Sequence, residues 1–209
     1  MNHHGEGGIL ESSGLSAPRK WESTTRITLL ERGHKGAPLV LIRHWLRSNV
    51  ASYRRFLAGL APRDRDRFES FSESDWVSID FASSVYTVAA PLLYPGIAAP
   101  LRRLGREICK DNISGLFRFV LRTLTVPFLI GQTARVWHSF HVAGVPSLER
   151  TGDRALHFMV RDYPELSAEI RETIAGFITE LIERTGAKDV RIRNADDDPS
   201  CWGWWISWR

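Results

Sequence analysis

Residues 163–208, YPELSAEIRETIAGFITELIERTGAKDVRIRNADDDPSCWGWWISW, carry the strongest pattern in this chain. Apolar residues in the first half recur at spacings of four, four, three and four: Leu166, Ile170, Ile174, Phe177 and Leu181. This period predicts one amphipathic helix that begins near Pro164 and ends at Gly186. Such a helix must pack its apolar face against a second layer, which the following strands supply.

Two strands are predicted after the long helix. Val190 and Ile192 alternate with arginines in the first strand, and residues 196–200 form a loop. One face of the last strand carries Trp202, Trp204, Ile206 and Trp208. We expect these rings to fill the core beneath the helix, although they would also suit a binding platform or a dimer interface. Trp205 lies on the opposite face and is the candidate for an interface.

Upstream segments predict more elements of both kinds. A hairpin is predicted from residues 148–150 and 155–161, around the turn Thr151-Gly152-Asp153. Helices are predicted over residues 49–60, 62–68, 81–93, 98–112, 113–124 and 125–142, and Asp80 is predicted to cap the helix 81–93. Residues 24–31 and 75–80 are expected to be extended, and residues 38–46 fit either type. The fold class is therefore α+β, closed by a C-terminal helix and β-hairpin.

Composition bounds the class of protein. The chain has 209 residues, 43% of them hydrophobic, which suits one domain over residues 24–209 behind a flexible tail of residues 1–23. The net charge is +4, but acids are mixed into the arginine clusters, so no specific nucleic-acid partner is expected. Two cysteines and no apparent export signal predict a cytoplasmic location. The longest apolar stretch, residues 113–130, contains two arginines and a proline, so no transmembrane segment is expected.

No phosphate-binding loop, nucleophile elbow, zinc-protease motif or Cys-x-x-Cys pair is present. The sequence therefore favours a binding or docking module over an enzyme. His138 and His141 stand three residues apart, so on a helix they would share a face and offer a ligand to a metal or a haem iron. The alternative is that both are ordinary hydrogen-bonded or exposed histidines.

A second candidate cluster is Leu104-Gly105-Arg106-Glu107-Ile108-Cys109. Gly105 within a helical pattern would permit close approach of another helix or of a ligand. Cys109 is either a modified or reactive thiol or a small buried hydrophobic residue.

The order of these features resembles a known family. Five segments follow one another as in the DUF2378 proteins expanded in myxobacteria. They are the extended Asp75-Trp76 segment, the Leu-Gly-Arg-Glu helix, the Trp-His-Ser-Phe-His helix, Asp162-Tyr163-Pro164 and the closing Ile206-Ser207-Trp208. The chain also looks similar to the superfamily that joins vinyl-reductase-like, haem-NO-binding and TRAPP-subunit domains. The resemblance implies a TRAPP-subunit-like fold and frequent homodimers. It also implies that some relatives bind small molecules or haem, while others are scaffolds. In TRAPP subunits a cysteine carries an acyl chain, and Cys109 lies in a comparable region.

The resulting expectation is a non-catalytic sensory or adaptor domain that binds a hydrophobic small molecule or an acyl chain. The alternatives are a homodimeric scaffold without ligand and a haem-based gas sensor that uses His138 or His141. The pocket is expected between the helices of residues 98–142 and the C-terminal sheet. Its candidate ligand-binding residues are Gly105, Arg106, Cys109, Phe117, Leu121, Trp137, His138, Phe140 and His141.

Overall fold

A computed structural model of the chain describes residues 33–116, 125–196, 198 and 200–209. These residues form seven helices and six strands. In chain order they are β1 (His34–Lys35), α1 (Ala37–Arg47), α2 (Val50–Gly59), α3 (Pro62–Ser70), β2 (Trp76–Val77), α4 (Ile79–Leu93), α5 (Pro100–Leu116), α6 (Val126–His138), β3 (Val145–Gly152), β4 (Ala155–Arg161), α7 (Ala168–Glu183), β5 (Arg191–Ala195) and β6 (Cys201–Ser207). The predicted α+β class is confirmed.

The C-terminal half is built on a four-stranded antiparallel sheet in the order β3-β4-β6-β5. Side chains alternate between its two faces. The inner face packs against α7 through residues such as Leu156 and Trp204, both fully buried, and the Trp204 ring stacks on Phe158 with a centroid distance of 5.1 Å. The predicted core role of Trp204 and Ile206 is thereby confirmed.

Helices α5 and α7 cross in close backbone contact because a glycine stands on each side. A Cβ atom at Gly105 would lie 1.9 Å from the carbonyl oxygen of Thr173, and one at Gly176 would lie 1.9 Å from that of Arg102. Of the two roles considered for Gly105, packing against a helix is the one that the structure shows. The crossing fixes α7 over the sheet and so positions the pocket described below.

The N-terminal helices form the other end of one continuous core. Their buried side chains include Leu39, Ile42, Phe56, Phe68, Val85 and Tyr86. Phe56 and Phe68 pack with ring centroids 4.6 Å apart. Residues 38–46, which were ambiguous in sequence, lie within helix α1.

Three predicted helix boundaries are wrong. Ser78, not Asp80, caps α4, because its hydroxyl accepts a hydrogen bond from the Phe81 backbone N–H. Helix α7 begins at Ala168 rather than near Pro164, with the Ser167 hydroxyl as its N-cap. Helix α6 ends at His138 rather than at residue 142.

The cause of the early end of α6 is strand β1. The Lys35 N–H donates to the Phe140 carbonyl at 2.9 Å, and the Val142 N–H donates to the Gly33 carbonyl at 3.3 Å. His34 and His141 therefore face each other in an isolated antiparallel bridge. The Phe140 carbonyl and the Val142 N–H thus pair with the β1 segment, while the N–H groups of Phe140 and His141 still donate to the Trp137 carbonyl.

Other predictions lie outside the described residues. They are the tail of residues 1–23, the strand of residues 24–31 and the part of the apolar helix over residues 117–124. Among the helices that are described, none is both long and apolar enough to cross a membrane.

Candidate functional site: an apolar pocket with two buried histidines

A pocket lies between α6, α7 and the inner face of the sheet. Its volume is about 920 Å³, counting the part that opens to solvent. Its walls are largely apolar, with lining residues that include Leu129, Trp137, Phe140, Phe158, Ile174 and Phe177. The polar side chains among the described lining residues are His34, Tyr86, Thr133, Thr173 and His141. The sequence placed a pocket between the middle helices and the C-terminal sheet, and it did not include α7, which forms a wall of this one.

The periodic stripe of α7 forms one wall. Ile170, Ile174, Phe177 and Leu181 all line the pocket, together with Ile178. Ile170 is buried against the core, whereas the other four are only partly buried. The sheet therefore covers only part of the apolar stripe of α7. The partly buried residues of the stripe face the pocket.

His141 is the polar side chain most closely enclosed by aromatic rings at this site. It is 4% exposed. The Trp137 ring stacks on its imidazole at a centroid distance of 4.1 Å and an interplanar angle of 16°. The rings of His34 and Tyr163 meet it edge-on at 5.1 and 5.8 Å. Its Nδ1 atom is buried and has no hydrogen-bond partner among the described residues, which is unusual for a buried polar atom.

The hydrogen bonds of His34, by contrast, are complete. Its Nδ1 lies 2.8 Å from the Lys35 carbonyl oxygen and its Nε2 lies 3.0 Å from the Tyr86 hydroxyl. Because a carbonyl only accepts, Nδ1–H of a neutral His34 donates, and Nε2 accepts from Tyr86. This pairing holds the ring edge-on to His141.

Burial keeps both imidazoles neutral. Desolvation lowers the pKa of His34 to about 4, against the opposing effect of its backbone hydrogen bond. Desolvation also lowers the pKa of His141 well below its ordinary value, with further lowering from His34 and His138. A neutral imidazole retains a lone pair, which is the form that accepts a hydrogen bond or ligates a metal.

Trp137, Phe140 and His141 are the predicted site residues that the structure brings to the pocket. The prediction that His138 shares a face with His141 is wrong, because α6 ends at His138 and the chain turns before His141. His138 is exposed, and its Nδ1 lies 3.4 Å from the His141 carbonyl oxygen. Phe117 and Leu121 lie outside the described residues.

Gly105, Arg106 and Cys109 lie at the α5–α7 crossing instead of among the described lining residues. Arg106 donates to the carboxylates of Glu183 and Glu180, at 3.0 Å and 3.3 Å. Cys109 is fully buried, and desolvation, followed by the nearby Glu180 carboxylate, raises the pKa of its thiol. A neutral, buried thiol is a poor nucleophile, so the geometry favours its role as a small core residue.

Sequence reasoning missed His34 and Tyr86. His34 stands between the predicted segments of residues 24–31 and 38–46, and Tyr86 lies 52 residues further along the chain. The β1 pairing places His34 at the pocket, and the packing of helix α4 places Tyr86 there. Among the described residues, no group of three or more histidine, cysteine or acidic side chains is placed to hold a metal ion. His141 would offer one imidazole nitrogen to the iron of a haem.

The sequence matches no protein-family model and no curated protein. The fold does have solved counterparts. An Fe(II) unliganded H-NOX protein from K. algicida matches with a TM-score of 0.61 at 8% identity, over 84% of this chain and 96% of that one. An H-NOX protein from S. oneidensis in the Fe(II)NO ligation state matches with a TM-score of 0.58 at 12% identity, over 84% and 99%. An oxygen-binding H-NOX domain related to soluble guanylate cyclases gives 0.52 at 14%, over 83% and 92%. The chain therefore has an H-NOX-like fold.

Proposed function

We propose that this chain is a non-catalytic sensory domain that binds a small, mainly apolar ligand in the α6–α7 pocket, and that haem is the first candidate ligand. One observation carries the proposal: His141 lines an apolar pocket, is buried, and keeps a ring nitrogen that no described residue pairs by a hydrogen bond. The H-NOX-like fold adds support, since one neighbour is described with NO on Fe(II) and another as oxygen-binding.

The residues present fit haem in two respects. The apolar walls suit a porphyrin, and His141 is the neutral imidazole that would hold the iron. A bound haem would supply an iron atom able to take a diatomic gas. The chain's own contribution is to orient the imidazole by the Trp137 stack and the His34 edge contact, and to exclude water with the α7 stripe.

Haem titration of the purified protein tests this candidate. We expect a Soret band to develop to one equivalent in the wild type and to shift on adding NO to the reduced protein. His141→Ala should lose the shifted band, whereas His138→Ala should retain it, because His138 is exposed. Absence of a protein-bound Soret band in the wild type, or an unchanged band in His141→Ala, would reject haem ligation by His141.

A second candidate is a ligand without iron. The described lining residues include no lysine or arginine, so no cation inside that part of the pocket meets a ligand carboxylate, the two propionates of a haem included. This favours a neutral apolar molecule or the tail of an acyl chain, held noncovalently because Cys109 is buried at the helix crossing. Native mass spectrometry would show a mass increment that denaturing conditions remove. An increment that survives denaturation and is lost in Cys109→Ser would show instead that an acyl chain is attached to the thiol.

The family membership and cellular role are part of the same proposal. We place the chain with the DUF2378 proteins, in the superfamily that includes the haem-NO-binding and TRAPP-subunit domains, as a cytoplasmic signalling adaptor. The H-NOX-like fold supports the superfamily. The TRAPP-like features and the location stay predictions.

A further inference from the structure

Most of the polar side chains that line the α6–α7 pocket already give their protons to partners inside the chain. In neutral His34, Nδ1–H donates to the Lys35 carbonyl at 2.8 Å, so Nε2 carries a lone pair and accepts from the Tyr86 hydroxyl at 3.0 Å. The indole N–H of Trp137 donates to the Ala143 carbonyl at 2.7 Å. Any further hydrogen bond at the Tyr86 oxygen is therefore one that this oxygen accepts.

The two threonines of the pocket are committed in the same way. Thr133 Oγ1 donates to the Leu129 carbonyl at 3.0 Å. Thr173 Oγ1 donates to the Glu169 carbonyl at 2.9 Å. Because a carbonyl only accepts, each hydroxyl proton is held by the helix backbone, and each oxygen keeps lone pairs for a further donor. Among the described lining side chains, His141 alone is left to offer a proton to a ligand.

His141 is the side chain of this group with an unused atom. Its Nδ1 is buried and is not paired by any described residue. Its ring centroid lies 5.1 Å from that of His34, and the His34 centroid lies 5.5 Å from that of Tyr86. These three rings form a polar corner in a lining that is otherwise apolar apart from the two threonines. A ligand group that meets this corner finds mainly hydrogen-bond acceptors.

Three kinds of ligand head group fit this corner to different degrees. A carboxylate would be buried without a counter-charge, because the described lining residues include no lysine or arginine. An ether oxygen only accepts, so His141 is the one described lining side chain that could donate to it. A hydroxyl both donates and accepts, so it pairs with His141 Nδ1 in either tautomer of the neutral ring, and it can donate to the neighbouring oxygens.

We propose, on the basis of the proposed function in its iron-free form, that the pocket selects a neutral aliphatic alcohol whose hydroxyl pairs with His141 Nδ1. More than half of the described lining residues are isoleucine, leucine or valine, which suits an alkyl chain. The stripe of α7 supplies several of them, including Ile174 and Leu181. The apolar walls hold the chain of the ligand, and the polar corner decides its head group.

Isothermal titration calorimetry at pH 7 with decanol, its methyl ether and decanoate tests the proposal. The three probes share one alkyl chain and differ in the head group. The wild type should bind decanol at least tenfold more tightly than either of the others, although the ether is more apolar than the alcohol. His141→Phe keeps an aromatic ring without its nitrogens, so its preference for the alcohol over the ether should fall below threefold. His138→Phe is the matched control and should keep the tenfold preference, because His138 is exposed.

A wild type that binds the ether or decanoate as tightly as decanol would overturn the head-group assignment. Loss of that binding in Ile174→Trp would then show that the pocket itself still binds ligands. A tenfold preference that persists in a folded His141→Phe protein would also overturn the assignment. A wild type that binds none of the three probes would overturn it together with the iron-free form of the proposed function, whereas haem binding is judged separately by the Soret band. Circular dichroism shows whether each variant is folded, and if His141→Phe is not, the wild-type series decides alone.

Discussion

Trp137 stacks on His141 at 4.1 Å, although α6 ends one residue after Trp137 and His141 belongs to the strand-like segment that pairs with β1. The indole also donates from Nε1 to the Ala143 carbonyl at 2.7 Å. One ring thus joins the end of the helix, the turn after it and the buried imidazole. The position of His141 in the pocket depends on this ring.

Replacing Trp137 should therefore loosen the site and destabilise the fold. Trp137 is 6% exposed, so Trp137→Ala should lower the free energy of unfolding by about 3–5 kcal/mol. Trp137→Phe keeps an aromatic ring but loses the hydrogen bond, and it should cost distinctly less. Urea denaturation measures both. A cost below about 1 kcal/mol for Trp137→Ala would show that the stack is not part of the stable core.

The helix crossing at Gly105 gives a prediction with an internal control. Gly105→Ala places a methyl group against the Thr173 backbone and should destabilise the protein by about 3 kcal/mol or more. Gly131 lies within α6, and a Cβ there would meet no atom of the described residues within 4 Å. Gly131→Ala should therefore be neutral or stabilise by up to about 1 kcal/mol. Equal effects in thermal unfolding would contradict the close crossing.

The buried His34 makes stability depend on pH. Its pKa is about 4 when folded and 6.5 in the unfolded chain, so the unfolded state binds the proton first as the pH falls. The stabilisation is complete above pH 6.5 and is lost towards pH 4. Between pH 7 and pH 5 His34 accounts for about 2 kcal/mol.

Denaturant titrations at pH 7 and pH 5 test that dependence. His34→Gln should reduce the loss of stability between the two values, because the glutamine does not titrate. His44→Gln should leave the loss as in the wild type, since His44 is exposed on α1. The same pH dependence in all three proteins would rule out His34 as its source.

Sequence periodicity predicted those helices and strands whose apolar face is the face that is buried in the core. The stripe of α7 and the alternation around Trp204 both depend on one face meeting the core, so both were predictable. The end of α6 was not, because nothing in residues 138–142 shows that β1 will take their backbone hydrogen bonds.

The same limit applies to the site. The apolar wall of the pocket was predictable in part, since Trp137 and Phe140 belong to the helix pattern and its final turn. The His34–Tyr86 pair was not, because its residues are joined only by the fold. Gly105 was recognised as a point of close approach, but sequence could not decide whether a helix or a ligand approached it.

Filling the pocket tests the central claim most directly. Ile174 lines the pocket on α7 and is partly buried, so Ile174→Trp should occupy the cavity at a cost of about 1–3 kcal/mol. Native mass spectrometry after incubation with haem, and separately with a neutral long-chain alcohol, should show a one-to-one complex with at least one of them in the wild type and in His138→Ala. It should show none in a folded Ile174→Trp protein. Binding that persists in Ile174→Trp, or a wild type that binds neither probe, would contradict a ligand-binding pocket between α6 and α7.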